Sequence, residues 1–98
     1  MRYAIMGEDV VHSLEKRKTA RPAHLDRLNS LVSQDRLLVA GPHPAIDSSE
    51  PGKAGFSGSL VITEFDSLEQ AQARAEAHHY VAADVYQRVV VKPFKRLL

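Results

Sequence analysis

The sequence predicts an α+β fold with its elements in the order β-α-β-β-α-β. Three observations predict it. Four short apolar runs, near residues 2–7, 36–42, 59–65 and 85–91, have the length of strands, and segments of helical period follow the first and the third. Turn-forming residues crowd residues 43–58, where two consecutive strands must join without a helix. Finally, 98 residues that are 44% hydrophobic and 26% charged suit one globular domain spanning 1–98.

The first run alternates Tyr3 and Ile5 with Ala4 and Met6. Both faces are apolar, as in a strand covered on both sides. Gly7-Glu8-Asp9 is read as the break after it. Ser13 is placed to cap a short turn through Lys18. Pro22 then restarts the helix at its first position, where the missing N–H costs nothing. Leu25, Leu28, Leu31 and Val32 form the expected buried stripe, with His24 at its edge, and the helix ends near Gln34-Asp35.

Residues 36–42 form the second strand, stopped by Gly41-Pro42. The loop at 43–58 is long enough to be functional or mobile. Residues 59–65 make the third strand. Ser67 with Gln70 fits a capping box ahead of an alanine-rich helix whose stripe is Leu68, Ala71 and Ala75. His78-His79-Tyr80 ends that helix, residues 81–84 connect by about one turn, and 85–91 form the fourth strand.

This is the split βαβ order of a ferredoxin-like fold with a four-stranded antiparallel sheet. Two helices cover one face of such a sheet. Because three strands are apolar on both faces, the other face needs a cover too. Either two sheets pack together in a homodimer, or the 43–58 loop folds over that face.

The net charge is +1, from 13 basic and 12 acidic residues, so no electrostatic case exists for nucleic acid or an anionic membrane. A nucleic-acid platform on the sheet would need exposed aromatics, and the runs are mainly aliphatic. With no cysteine there is no disulfide and no thiolate nucleophile or metal ligand. No apolar run approaches the roughly 20 residues of a membrane helix. The first residues are too short and mixed for a signal peptide, so the expected location is the cytoplasm.

P-loop, GxGxxG and GxSxG patterns are absent. The five histidines show no HxxxH or HExxH spacing, so no metal site is expected. The fold brings the end of the first strand, the start of the first helix and the end of the second helix to one end of the domain. Asp9, Ser13, Arg17, Arg21, His24 and His78 can therefore converge. Histidine suits proton transfer near neutral pH, and the arginines suit a carboxylate or enolate oxygen. Each also has a structural reading. His24 can be a packed stripe residue, the arginines solvated helix residues, Asp9 a cap, His78 and His79 a helix end, and Tyr80 a core aromatic.

The chain resembles the YciI-like (YCII-related) family of the dimeric α+β barrel superfamily. The resemblance is carried by Ser13-Leu14-Glu15-Lys16-Arg17, Arg21-Pro22-Ala23-His24-Leu25, Ala40-Gly41-Pro42, Pro44-Ala45-Ile46-Asp47, Tyr80-Val81-Ala82-Ala83 and Val91-Lys92-Pro93-Phe94-Lys95, and runs over essentially the whole chain. It implies a dimer of ferredoxin-like protomers and a cofactor-free pocket built around a histidine and an aspartate. The family histidine corresponds to His24, and Asp9 is retained as a catalytic candidate. Ser13, Arg17, Arg21, Gly41, Pro42, His78 and Tyr80 are candidates for binding a small substrate.

The superfamily includes isomerases, lyases and oxygenases acting on small, often cyclic molecules. The expected function is therefore a lyase, isomerase or hydrolase using His24 as acid–base. The competing reading is a non-catalytic dimeric module that binds a small ligand or supports a larger enzyme. One departure stands out. The family pattern Asp-Pro-Tyr or Asp-Pro-Phe is replaced by His78-His79-Tyr80, which leaves open whether Asp9 or His78 partners His24.

Overall fold

A computed structural model describes residues 1–98, apart from the side chain of His79. The histidine pair 78–79 is therefore only half within the described residues. The elements are β1 (Arg2–Asp9), α1 (Leu14–Ser33), β2 (Leu37–Pro44), a 3-10 turn (Gly52–Ala54), β3 (Phe56–Glu64), α2 (Leu68–Glu76), the single turn α3 (His79–Ala82) and β4 (Tyr86–Phe94). The four strands form one sheet in the order β2-β3-β1-β4, with every neighbouring pair antiparallel. This is the ferredoxin-like arrangement that the order of apolar runs predicts.

Several boundaries differ from the sequence reading, each for a physical reason. β1 does not stop at Gly7. It continues through Glu8 and Asp9, and Gly7 pairs with Ser59 on one side and Val89 on the other. A glycine is needed there because the Tyr86 ring lies directly over its Cα, where a Cβ would have to be.

Pro22 does not start a helix; it lies inside α1, which runs unbroken from Leu14 to Ser33. The bond it removes would have gone to the carbonyl of Lys18, and both residues lie on the exposed side, where water can satisfy that carbonyl. The helix N-terminus is therefore at Ser13, not at Arg21-Pro22. β2 likewise passes through Gly41-Pro42 to Pro44. It is an edge strand, where a missing N–H removes no bond that the sheet needs. β4 runs on through Pro93 at the opposite edge for the same reason.

The buried stripe of α1 also differs from the expected one. Arg17, Ala20, His24 and Leu31 are buried, while Leu25 and Val32 are exposed. The spacing of three, four and seven residues is still helical, but two buried positions are polar. The leucine-based stripe is therefore half right: Leu28 and Leu31 pack inward, but the buried face is turned towards Ala20 and His24, so His24 lies within the stripe, not at its edge.

The main core lies between the helices and one face of the sheet. Tyr3, Ile5, Val61 and Phe65 meet Ala71 and Ala75 of α2, with Leu28, Leu37 and Ala40 packed against them. The two alanines are almost wholly buried, which lets α2 sit close on the sheet. Ser67 caps α2 as expected, its Oγ accepting from the Gln70 N–H at 3.1 Å. On the opposite face Val39, Ile62 and Ala4 fall in one cross-strand row, and Leu60, Met6 and Val90 in the next.

Candidate functional site: a cavity between α1 and the edge of the sheet

The site grows from one buried ion pair. Asp9 ends β1, where the register with β4 shifts between Glu8 and Asp9. Its carboxylate accepts from Ser13 Oγ at 2.6 Å and from Arg17 Nε at 2.6 Å on Oδ2, and from Arg17 Nη2 at 2.8 Å on Oδ1. This two-pronged geometry is the strong form of an arginine–carboxylate contact. Arg17 Nη2 also donates to the Gly58 carbonyl at 2.7 Å and to Ser59 Oγ at 2.8 Å. Asp9, Ser13, Arg17 and Ser59 are all buried. Burial works against the Arg17 charge, but the hydrogen bonds and charge of Asp9 outweigh it and hold the guanidinium above its ordinary pKa.

Aromatic rings enclose this pair. The Arg17 Cζ lies 5.2 Å from the centre of Phe56, 5.1 Å from that of Tyr80 and 5.9 Å from that of Tyr86, all within cation–π range. Burial raises the Tyr80 and Tyr86 phenols, against the opposing pull of the Arg17 charge. Both are therefore neutral O–H groups at ordinary pH.

His24 joins the cluster through rings. It stacks on Tyr80 with centroids 4.3 Å apart and planes 29° from parallel, and His78 lies 4.7 Å away. The Tyr80 N–H donates to His78 Nδ1 at 3.0 Å, which places the proton of a neutral His78 on Nε2. His78 also approaches Tyr86 at 5.7 Å, and Tyr80 meets Tyr86 edge-on at 5.4 Å. The short helix α3 exists to make these contacts: it turns Tyr80 inward onto α1, leaving it 3% exposed.

A cavity of about 350 Å³ opens beside this cluster. That is the lower end of the range for small-molecule sites. From α1 it takes Leu14, Arg17, Arg21, His24, Leu25 and Leu28, whose spacing of three and four puts them on one side of the helix. Ala40, Gly41 and Pro42 of β2, with Phe56, Ser59 and Val61 of β3, form the opposite wall, and Tyr80 closes one end.

Of the residues singled out from sequence, Arg17, Arg21, His24, Gly41, Pro42 and Tyr80 line this cavity. Asp9 and Ser13 do not; they hold Arg17 from behind. His78 borders a much smaller cavity beneath α1, shared with His24, Arg27 and Arg74. Among the described residues no group of three or more His, Cys, Asp or Glu side chains converges as metal ligands do. Phe56, Tyr86, Ser59 and the Gly58 carbonyl are members that sequence reasoning missed. The signal for Tyr86 was Gly7, a glycine inside a strand that does not turn there.

Comparison with known proteins agrees with the architecture. Residues 1–95 match the YCII-related domain, and the chain belongs to that family. It is 60% identical over 97 residues to Protein YciI of Escherichia coli O6:H1, covering 99% of both chains. It is 48% identical over 97 residues to a protein of Haemophilus influenzae, again covering 99% of each. Among solved structures it is similar to 5-chloro-2-hydroxyhydroquinone dehydrochlorinase (TftG) of Burkholderia phenoliruptrix, in complex with 2,5-dihydroxybenzoquinone. The TM-score is 0.83 at 24% identity, over 97% of this chain and 94% of that one. At that identity the likeness speaks for the fold.

Proposed function

We propose that this YCII-related chain, acting as one domain, is a cofactor-free enzyme of lyase, isomerase or hydrolase type that moves a proton on a small substrate. The observation that carries the reading is His24, 8% exposed yet forming part of the wall of a 350 Å³ cavity. An imidazole is the side chain best suited to both accept and return a proton near neutral pH. Stacking on Tyr80 fixes the plane of its ring. Arg17, paired with Asp9, forms a fixed polar part of the cavity wall. In this account His24 is the catalytic group. Asp9 acts at one remove, with Ser13, by holding Arg17 in place. Gly41 and Pro42 shape the cavity edge. TftG, of the same fold, is named as a dehydrochlorinase and binds a small ring compound, which supports this class of reaction.

The non-catalytic reading, a module that binds the same kind of ligand, is favoured by one observation. The Asp9 carboxylate is committed to Arg17 and Ser13.

A thermal-shift screen with small carboxylates, phenolic acids and 2,5-dihydroxybenzoquinone tests the site, repeated on His24→Ala and on the bulkier His24→Gln. A ligand that stabilises the wild type and neither variant locates the pocket; one indifferent to both places it elsewhere. Deuterium uptake from solvent into that ligand, lost in His24→Gln, separates enzyme from module.

We also propose that two copies pair through the sheet face opposite the helices. The support is Val39, Met6, Leu60 and Val90, apolar residues of the face away from the helices that the protomer leaves half-exposed or exposed around the buried Ala4 and Ile62. The expected setting is the cytoplasm. No helix of the described residues is long and apolar enough to cross a membrane.

A further inference from the structure

The cavity is cationic in an uneven way. Arg17, Lys18 and Arg21 line it, and no carboxylate does. Arg17 is answered by the buried Asp9, and Lys18 meets Glu15 at 3.3 Å only in an exposed, solvent-screened pair. Arg21 is exposed, and among the described residues no carboxylate forms an ion pair with it. It lies one helical turn from Arg17 and three residues before His24, on the side of α1 that faces the cavity. Its charge reaches Tyr80, the ring on which His24 is stacked. The rest of the lining is mainly apolar or aromatic, including Leu14, Leu25, Leu28, Val61 and Phe56, with Ser59 already bonded to Arg17.

We infer that the cavity selects a small ring acid, with an apolar body against the leucines and Phe56 and one carboxylate held by Arg21. This rests on the reading of the cavity as a ligand site, and it gives the two arginines different work. Arg17 is a fixed part of the wall, its charge balanced by Asp9. Arg21 is the specificity-determining residue, free to grip a carboxylate with two parallel N–H groups. Arg21 is also placed to hold the ring with one edge towards His24, because both residues project from the same side of α1.

The test is calorimetric binding of two probes of nearly equal shape, 4-hydroxybenzoate and 4-hydroxybenzamide, to the wild type, Arg21→Gln and Arg21→Lys. The wild type should bind the acid about tenfold or more tightly than the amide, the equivalent of one charge-assisted contact. Arg21→Gln should bring the two affinities together by weakening the acid alone, and Arg21→Lys should keep part of the preference. Thermal unfolding of both variants should match the wild type, since residue 21 is exposed. Equal wild-type binding of acid and amide overturns the inference but leaves the cavity as a ligand site. So does an acid preference that survives in Arg21→Gln. If neither probe binds, both the inference and the reading of the cavity on which it rests fall.

Discussion

The Asp9→Ala variant strands the Arg17 guanidinium in a buried site without its counter-charge. Leaving one member of a buried pair alone costs about 3–5 kcal/mol. In a domain of this size each kcal/mol moves the melting temperature by about 4–8 °C, so thermal unfolding should show a drop of tens of degrees. Ser13→Ala removes a single hydrogen bond to a charged group and should cost about 1.5–3 kcal/mol. If Asp9→Ala melts like the wild type, the pair is not the anchor described above. The raised phenols give a pH prediction. In the unfolded chain Tyr80 and Tyr86 lose their protons near the ordinary phenol value of about 10, while burial holds those protons to higher pH in the folded state. Their contribution to stability is complete below about pH 10 and is lost as pH rises from there through the folded-state values. Tyr86→Phe removes one share, so denaturant unfolding followed from pH 8 upward should fall less steeply in the variant. At this scale the sequence was half legible. Arg17, Arg21 and His24 could be picked out by residue type and by the family resemblance, although the single helix that carries them was read as two pieces. That Asp9 belongs to Arg17 could not, because it depends on where β1 ends, and β1 ends two residues later than its pattern suggests.

At the scale of elements, α1 and β1 each carry a residue that appears misplaced until its neighbours are known. Pro22 sits in the middle of a helix, and Gly7 in the middle of an inner strand. Gly7→Ala would put a methyl group into the Tyr86 ring. Overpacking of this kind costs about 1–3 kcal/mol. Because the displaced ring is one of those around Arg17, near-ultraviolet circular dichroism should change together with stability. Unchanged spectra and melting would show that Tyr86 does not depend on that space. The type and order of elements were legible because period and turn chemistry are local properties. Strand ends were not. Whether Gly41-Pro42 or Gly7 stops a strand is decided by edge position and by a ring from another strand, and neither is written locally.

For the whole molecule the proposed pairing of sheets has a direct consequence at Val39. This side chain is 48% exposed on the outer face of β2. Val39→Glu should therefore leave an isolated protomer almost untouched, since exposed substitutions stay within about 0.5 kcal/mol. In a sheet-to-sheet dimer it buries a charge instead. Light scattering should report a wild-type dimer and a Val39→Glu monomer, and a monomeric wild type would refute the pairing. The expectation of such a pairing comes from strands that are apolar on both faces in the sequence. The cavity was not visible, because its walls come from α1, β2, β3 and α3 and meet only in the folded chain. The most direct test of the central claim, that the His24 cavity is where this protein meets its small molecule, is an NMR titration of labelled protein with 4-hydroxybenzoate. The largest shifts should fall on His24, Tyr80 and the residues around Arg21 and Phe56. Shifts confined to the outer sheet face, with the His24 ring resonances unmoved, would contradict it.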